Sequence, residues 1–144
     1  METVIYLTNS VSKTQELAEK FASQINPGDV LAFYGELGSG KTSFIQGLAK
    51  GLGIKRRIMS PTFIIVRSYA LDDGSFYHVD LYRIQNNADL LGTGIDQLIN
   101  DKNSIVALEW AEKMGTMLPA RRIEVHIEDL KNDKRRITVV RYEQ

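Results

Sequence analysis

Short apolar runs alternate along the chain with stretches in which apolar residues recur every three or four positions. The runs are typical of strands and the periodic stretches of amphipathic helices. Two runs, Val30–Tyr34 and residues 105–108, are apolar throughout, which favours strands covered on both faces. The periodic stretch that starts near Ser12 predicts a helix that opens with a capping box of Ser12 and Gln15. A second helix follows a glycine-rich loop and ends near Gly53.

The rest of the pattern predicts two hairpins. Residues 64–69 and 76–80 are β-prone segments joined across a turn that contains Gly74. Apolar residues alternate with polar ones at 123–127 and again at 137–141, with a polar turn between them. The second pair therefore predicts a C-terminal hairpin.

Strands that alternate with helices define the expected fold class. A helical pattern at 88–99 is interrupted by Gly92 and Gly94, so the helix is expected to be broken there. Because helices and apolar strands alternate, we expect an α/β fold, a three-layer sheet with parallel and antiparallel strands. The chain carries no internal repeat or linker, which predicts a single domain over residues 1–144.

The composition excludes several classes of protein. The 18 basic and 18 acidic residues cancel, which argues against a surface that embraces nucleic acid all round. Cysteine is absent, so a disulfide scaffold, a thiolate zinc site and a cysteine nucleophile are excluded. Neither a signal-peptide pattern nor a run of 18 apolar residues occurs, so we expect a soluble intracellular protein without a membrane partner.

The segment Gly35–Thr42 matches the phosphate-binding motif G-x-x-x-x-G-K-[ST]. A buried strand precedes it and an amphipathic helix follows, which makes the expected fold a P-loop NTPase sheet. In this context Lys41 is expected to reach the β- and γ-phosphates and the Thr42 hydroxyl to ligate Mg²⁺. The predicted nucleotide-binding residues here are Glu36, Leu37, Gly38, Ser39, Gly40, Lys41, Thr42 and Ser43.

Two acidic residues that end predicted strands are candidates for the chemistry near the metal. Glu109 follows the apolar run 105–108, where it is either a magnesium partner or a solvated strand end. Asp80 ends the strand 76–80, where it is either a catalytic carboxylate or a turn residue paired with Arg83. His78, on the same face of that strand as Asp80, is expected to be a packed group rather than a base.

The nucleotide is expected to be ATP. The chain lacks the guanine-reading motif N-K-x-D, and its D-x-x-G segment at 89–92 falls in a predicted helix. One alternative is a small-molecule or nucleoside kinase, with Asp80 as base and Arg83 on the transferred phosphate. Another is a nucleotide-gated binding module that hardly hydrolyses.

Three further segments, at 60–63, 78–83 and 109–110, surround the phosphate loop in an order that belongs to a known family. Ser60-Pro61-Thr62-Phe63, His78-Val79-Asp80-Leu81-Tyr82-Arg83 and Glu109-Trp110 closely resemble the TsaE (YjeE-like) family of bacterial ATPases. The resemblance implies a cytoplasmic ATPase that serves threonylcarbamoyladenosine synthesis in tRNA. By the same resemblance its partners are the TsaB and TsaD subunits of the transferase, with tRNA reached indirectly through them.

The resemblance also implies roles for single residues. Thr42 and Glu109 would hold Mg²⁺, and Asp80 would serve hydrolysis beside Lys41. Thr62 would lie in a mobile loop that senses the γ-phosphate. The family's adenine pocket lies between the start of the first helix and the last hairpin, where Ser10, Thr14 and Arg135 are the expected contacts.

Two basic triplets, at 55–57 and 134–136, have two interpretations. They could contact tRNA or an acidic partner. Such triplets are more often solvated loop charge.

Overall fold

In the computed structural model, which describes residues 1–36, 38–55 and 66–143, seven strands form one mixed sheet in the order β1-β7-β6-β2-β5-β4-β3. The strands are β1 (Glu2–Thr8), β2 (Val30–Tyr34), β3 (Val66–Leu71), β4 (Gly74–Asp80), β5 (Ser104–Glu109), β6 (Arg122–Asp129) and β7 (Arg135–Tyr142). The α-helices are α1 (Val11–Phe21), α2 (Lys41–Gly51), α3 (Asn87–Leu91) and α4 (Ile95–Ile99). The predicted α/β class is confirmed.

Four parallel strands form the centre of the sheet. Strand β2 pairs in parallel with both β5 and β6, and β4 pairs in parallel with β5. All six residues of β5 are buried, as are the first four of β2, which confirms that these strands are covered on both faces. Because the strands are parallel, the carboxyl ends of β2, β4 and β5 lie at the same edge of the sheet.

Helices cover both faces of this parallel centre. On one face, α1 and α2 pack on the sheet around a cluster that includes Phe33, Phe44 and Phe76. On the other face, α3, α4 and a 3-10 helix at Ala111–Met117 enclose a second cluster around Val79 and Leu108. The predicted three layers are therefore present.

One helix prediction is wrong, and the predicted break in another helix is confirmed. Helix α1 begins at Val11 and is capped by Ser10, whose hydroxyl accepts a hydrogen bond from the Lys13 amide at 3.1 Å. The predicted capping box of Ser12 and Gln15 is therefore wrong, because Ser12 already lies within the helix. The broken helix at 88–99 is two short helices, and the second begins after Gly94, whose φ of 74° is left-handed.

The antiparallel strands form the predicted hairpins at the sheet's margins. Strands β3 and β4 pair across a two-residue turn, and β6 and β7 form the C-terminal hairpin. The predicted strand residues 64 and 65 lie outside the described residues. Within the described part of the chain, no helix is both long enough and apolar enough to cross a membrane.

Glycines on α2 allow its close approach to α1. A β-carbon added at Gly47 would lie 2.3 Å from the carbonyl oxygen of Gln15, and one at Gly51 would lie 2.3 Å from that of Glu19. Both carbonyls belong to the backbone of α1 and cannot rotate away. The contact therefore holds the C-terminal half of α2 close against the first helix.

Replacing Gly47 with alanine should lower the free energy of unfolding by about 1–3 kcal/mol, because α1 and α2 would have to separate. Urea denaturation measures this change. The matched control is Gly92→Ala, where a new β-carbon meets nothing within 4 Å, and its effect should stay within about 0.5 kcal/mol. Equal effects of the two substitutions would contradict this account of the helix contact.

Candidate functional site

The loop between β2 and α2 has a backbone that requires glycine. Gly35, Gly38 and Gly40 have φ angles of 153°, 80° and 111°, in the region that side chains disfavour. A β-carbon at Gly35 would also lie 2.6 Å from both the Ile127 carbonyl oxygen and the Ser39 hydroxyl oxygen. The loop therefore turns tightly against β6. The predicted contact Leu37 lies outside the described residues.

Helix α2 starts directly at the end of this loop. Its N-terminal cap is Gly40, so no side chain caps the first amides of the helix. Uncapped amides at a helix start, together with the helix dipole, favour an anion. The Ser39 hydroxyl adds a second sign of a ligand, because it is buried and has no hydrogen-bond partner among the described residues.

The Lys41 ammonium lies inside the loop rather than in solvent. Lys41 is only 4% exposed, and its Nζ donates a hydrogen bond to the Gly35 carbonyl. The Trp110 ring covers the ammonium from the other side, with Nζ 3.9 Å from the ring centroid. Burial lowers the pKa of Lys41, while the charges of Glu109, Glu112 and Asp80 oppose that shift. The structure therefore places a poorly hydrated cation in the phosphate loop.

Glu109 connects α2 to the centre of the sheet. Its Oε1 accepts a hydrogen bond from the Thr42 hydroxyl at 3.5 Å, and its Oε2 lies 2.5 Å from His78 Nε2. Glu109 is 4% exposed and His78 is fully buried, so the alternative of a solvated strand end is wrong. The expectation that His78 is a packed group is confirmed. Its Nδ1 is buried and has no partner within the described part of the chain.

Asp80 ends the strand beside Glu109. The two residues are paired in register across β4 and β5, so their carboxylates lie at the same edge of the sheet. The Asp80 Oδ1 accepts a hydrogen bond from the Tyr82 amide at 2.9 Å, as a turn carboxylate does. Burial raises the pKa of Asp80, and the charge of Glu109 raises it further. The hydrogen bond from the Tyr82 amide lowers the pKa of Asp80.

The side-chain oxygens of Thr42 and Glu109 are donors of the kind that Mg²⁺ binds. Thr42 and Glu109 supply one hydroxyl and one carboxylate. Among residues 1–36, 38–55 and 66–143, no group of three or more His, Asp or Glu side chains could hold a metal ion by itself. Mg²⁺ keeps several waters and takes few protein ligands beside a substrate's phosphates. The arrangement therefore matches an ion that arrives with a phosphorylated ligand.

Arg135 binds the back of the phosphate loop. Its Nε donates a hydrogen bond to the Ser39 carbonyl at 2.8 Å, and one terminal amino group donates to Asp129 at 3.0 Å. This contact was missed by sequence reasoning, which expected Arg135 at adenine. A hairpin at the far end of the chain offers no local signal for contact with residue 39, because only the sheet order brings the two together.

Arg135 also lines a cavity of about 660 Å³ between β1, α1 and the β6–β7 hairpin. Its other lining residues are Tyr6, Leu7, Thr8, Asn9, Lys13, Glu16, Leu17, Lys20, Leu130 and Lys134. Ser10 and Thr14 do not line it. Ser10 caps α1, and the buried Thr14 hydroxyl bonds that of Thr8 at 2.7 Å.

The remaining predicted groups fall in different places. Thr62, expected to sense the γ-phosphate, lies outside the described residues, as do Arg56 and Arg57 of the first basic triplet. In the second triplet, Arg136 pairs with Glu128 at 3.4 Å on the surface. The site therefore joins Lys41, Thr42, Asp80 and Glu109, with Trp110 as an unpredicted neighbour of the lysine.

Comparison with known proteins gives one consistent family. The family model described as "Threonylcarbamoyl adenosine biosynthesis protein TsaE" matches residues 8–137. The tRNA threonylcarbamoyladenosine biosynthesis protein TsaE of Bacillus subtilis (strain 168) is 36% identical over 140 residues, 96% of this chain and 85% of the relative. The protein of the same name from Rickettsia conorii is 31% identical over 137 residues, which are 94% of this chain and 77% of that relative.

A solved structure is similar in fold. The crystal structure of Bacillus subtilis YdiB superposes with a TM-score of 0.80 at 30% identity, over 98% of this chain and 86% of that chain. The likeness therefore extends over nearly the whole chain.

The contact between His78 and Glu109 should stabilise the protein, and a double-mutant cycle measures its coupling free energy. Hydrogen bonds to charged groups contribute about 1.5–3 kcal/mol, so His78→Phe and Glu109→Leu should couple by that amount in a double-mutant cycle. Urea denaturation of the wild type, both single variants and the double variant gives the value. A coupling below about 0.5 kcal/mol would show that the pair does not stabilise the site.

Proposed function

Because the chain belongs to the TsaE family of threonylcarbamoyl adenosine biosynthesis proteins, we propose that it is a magnesium-dependent ATPase that serves this modification of tRNA. One observation carries the ATPase proposal. The glycine loop opens α2 with Lys41 inside it, and Thr42 on that helix faces Glu109 at the end of β5. This combination of loop, lysine, hydroxyl and carboxylate suits a nucleoside triphosphate.

The phosphates would be bound by backbone and lysine together. The uncapped amides of α2 and the free Ser39 hydroxyl offer hydrogen bonds to phosphate oxygens. The Lys41 ammonium, now on the Gly35 carbonyl, has only to turn within the loop to meet the β- and γ-phosphates. Because Lys41 is buried and poorly hydrated, its charge acts on the ligand with little screening by water.

Thr42 and Glu109 are the residues that would hold Mg²⁺. When bound, the ion would neutralise charge that develops on the transferred phosphoryl group. His78 fixes one oxygen of Glu109, which leaves the other directed toward Thr42. Asp80, one strand away, is the carboxylate that would orient the attacking water.

The base and ribose would occupy the cavity beside the hairpin. Tyr6, Leu17 and Leu130 supply apolar surface for a base, and lysines surround it. Arg135 lines this cavity and also bonds the loop carbonyl of Ser39, so it joins base and phosphate positions. Ser10 and Thr14 would act indirectly, by fixing the start of α1.

The proposed cellular role is to reset a transferase. The chain would act in the cytoplasm with the TsaB and TsaD subunits, and it would reach tRNA through them. Its ATP cycle would change the surface that it offers to that complex, with Thr62 sensing the γ-phosphate. The names of the Bacillus and Rickettsia relatives support the pathway.

Loss of the buried cation should weaken ATP binding. For Lys41→Ala we expect about 10- to 100-fold lower affinity, since bonds to a charged donor are worth about 1.5–3 kcal/mol. Isothermal titration with ATP and Mg²⁺ measures this. Lys50→Ala is the control, because Lys50 lies on the same helix but is exposed and pairs with Glu19 at the surface. Unchanged affinity in Lys41→Ala would reject the phosphate-site assignment.

Substitutions of Glu109 and Asp80 should affect different properties, Mg²⁺ binding and hydrolysis respectively. Glu109→Gln should raise the Mg²⁺ concentration needed for nucleotide binding about tenfold, because a metal ligand loses its charge. Asp80→Asn should leave binding within a few-fold and slow hydrolysis by about 10²- to 10⁴-fold. Magnesium titrations and single-turnover hydrolysis test both variants. A magnesium shift in Asp80→Asn alone would mean that the two roles are exchanged.

The pathway role is tested by counting modified adenosines per transferase complex. Purified TsaB–TsaD should turn over repeatedly with the wild-type chain and ATP. With Thr42→Ala, or without the chain, it should stop near one modification per complex. The readout is modified tRNA against time. Equal multiple turnover in all three reactions would show that ATP use by this protein is irrelevant to the modification.

A further inference from the structure

The turn that follows β4 leaves the regular hydrogen bonding of the sheet. Strand β4 ends at Asp80, and residues 81–86 form neither helix nor strand before α3 begins at Asn87. The carbonyls of such a turn need partners from elsewhere, because a buried backbone carbonyl without a partner costs free energy. The shape of this turn matters for the site, since the turn begins at the carboxylate that is proposed to orient the attacking water.

The Lys113 side chain supplies the partner of two of these carbonyls. Its Nζ donates one hydrogen bond to the Tyr82 carbonyl at 3.1 Å and another to the Ile84 carbonyl at 2.8 Å. Both bonds have a charged donor, which makes them stronger than bonds between neutral groups. Because Lys113 lies in the 3-10 helix at Ala111–Met117, these bonds join the turn after β4 to the segment after β5.

Tyr82 connects the Lys113 ammonium to the Asp80 carboxylate. The Tyr82 carbonyl accepts the bond from Lys113, and the Tyr82 amide donates to the Asp80 Oδ1 at 2.9 Å. Because both groups belong to the backbone of one residue, a shift of the carbonyl also moves the amide that orients Asp80. At the start of the turn, the Leu81 amide donates to the Glu109 carbonyl at 3.1 Å. Lys113 therefore fixes the part of the turn that lies beyond this anchor.

The backbone of Lys113 is itself held next to the end of β5. Its amide donates a hydrogen bond to the Trp110 carbonyl at 3.0 Å. Trp110 directly follows Glu109, and its ring lies 5.2 Å from the Tyr82 ring between centroids. The lysine thus bonds the segment after Glu109 through its backbone and the turn after Asp80 through its side chain.

We propose that Lys113 is a positioning residue for ATP hydrolysis, which acts on Asp80 through the turn at Tyr82 and does not act on the nucleotide. This role rests on the proposed ATPase function. It adds to that function a residue outside the segments at 60–63, 78–83 and 109–110. Small displacements of a catalytic group slow a reaction strongly, so loss of the lysine should reduce the rate of hydrolysis. Nucleotide binding, which depends on the phosphate loop, should stay unchanged.

Substitution of Lys113 by methionine removes the charge and the donors and keeps an unbranched side chain of similar length. For Lys113→Met we expect single-turnover hydrolysis to slow about 10- to 100-fold, with ATP affinity by isothermal titration within about twofold of the wild type. Lys113→Arg keeps donors for the carbonyls, so its rate should stay within about fivefold of the wild type. Lys102→Met is the matched control, since Lys102 is exposed in the loop before β5.

The same substitution in an Asp80→Asn protein distinguishes positioning from a general loss of stability. If Lys113 acts through Asp80, adding Lys113→Met to Asp80→Asn should slow hydrolysis by less than about twofold further. A merely structural role would slow hydrolysis equally in both backgrounds. Far-UV circular dichroism checks that each variant is folded. If Lys113→Met is unfolded, Lys113→Gln, which keeps a neutral donor, replaces it in both backgrounds.

The outcomes separate this role from the proposed function. A wild type that does not hydrolyse ATP rejects the proposed function, and the role of Lys113 is rejected with it. Where the wild type hydrolyses ATP, three results overturn the role of Lys113 alone. They are a Lys113→Met protein as fast as Lys102→Met, an ATP affinity that falls as much as the rate, and an equal further loss in Asp80→Asn.

Discussion

The site depends on how the chain keeps two carboxylates side by side at the ends of adjacent parallel strands. Asp80 and Glu109 are paired in register at this edge, and burial together with the Glu109 charge raises the pKa of Asp80, so both oppose its charged form. Neighbouring donors offset this cost. His78 and Thr42 contact Glu109, the Tyr82 amide contacts Asp80, and the Lys41 charge acts on both. The two carboxylates are therefore held by hydrogen bonds and by the Lys41 charge before any ligand binds.

Two side chains, those of Arg135 and Lys41, hold the phosphate loop in place. A loop with three left-handed glycines has little conformational preference of its own. Arg135 bonds one of its carbonyls and Lys41 another, so the loop keeps its shape before any ligand arrives. Preorganisation of this kind lowers the entropy lost on binding. Arg135 and Ser39 are far apart in the chain, so their contact forms only when the whole sheet is folded.

This dependence also decides what could be predicted from the sequence. Strand pattern, the phosphate loop and the acids at strand ends were predictable, because each is a local signal: buried runs, glycine spacing, a carboxylate after an apolar run. The contact between Arg135 and Ser39 was not, since it follows from the order of strands in the sheet. The cap of α1 was misplaced by two residues, because Ser10 and Ser12 are equally good caps and only the packing of the helix chooses between them.

Arg135 makes the phosphate loop and the outer strand β1 parts of one contact network. It bonds the phosphate loop, lines the cavity and, as the first residue of β7, pairs in register with Thr8 of β1. Thr8 in turn bonds Thr14 of α1, the helix that supplies the other wall of the cavity through different residues. A ligand that entered the cavity would therefore contact a side chain that also holds the phosphate loop.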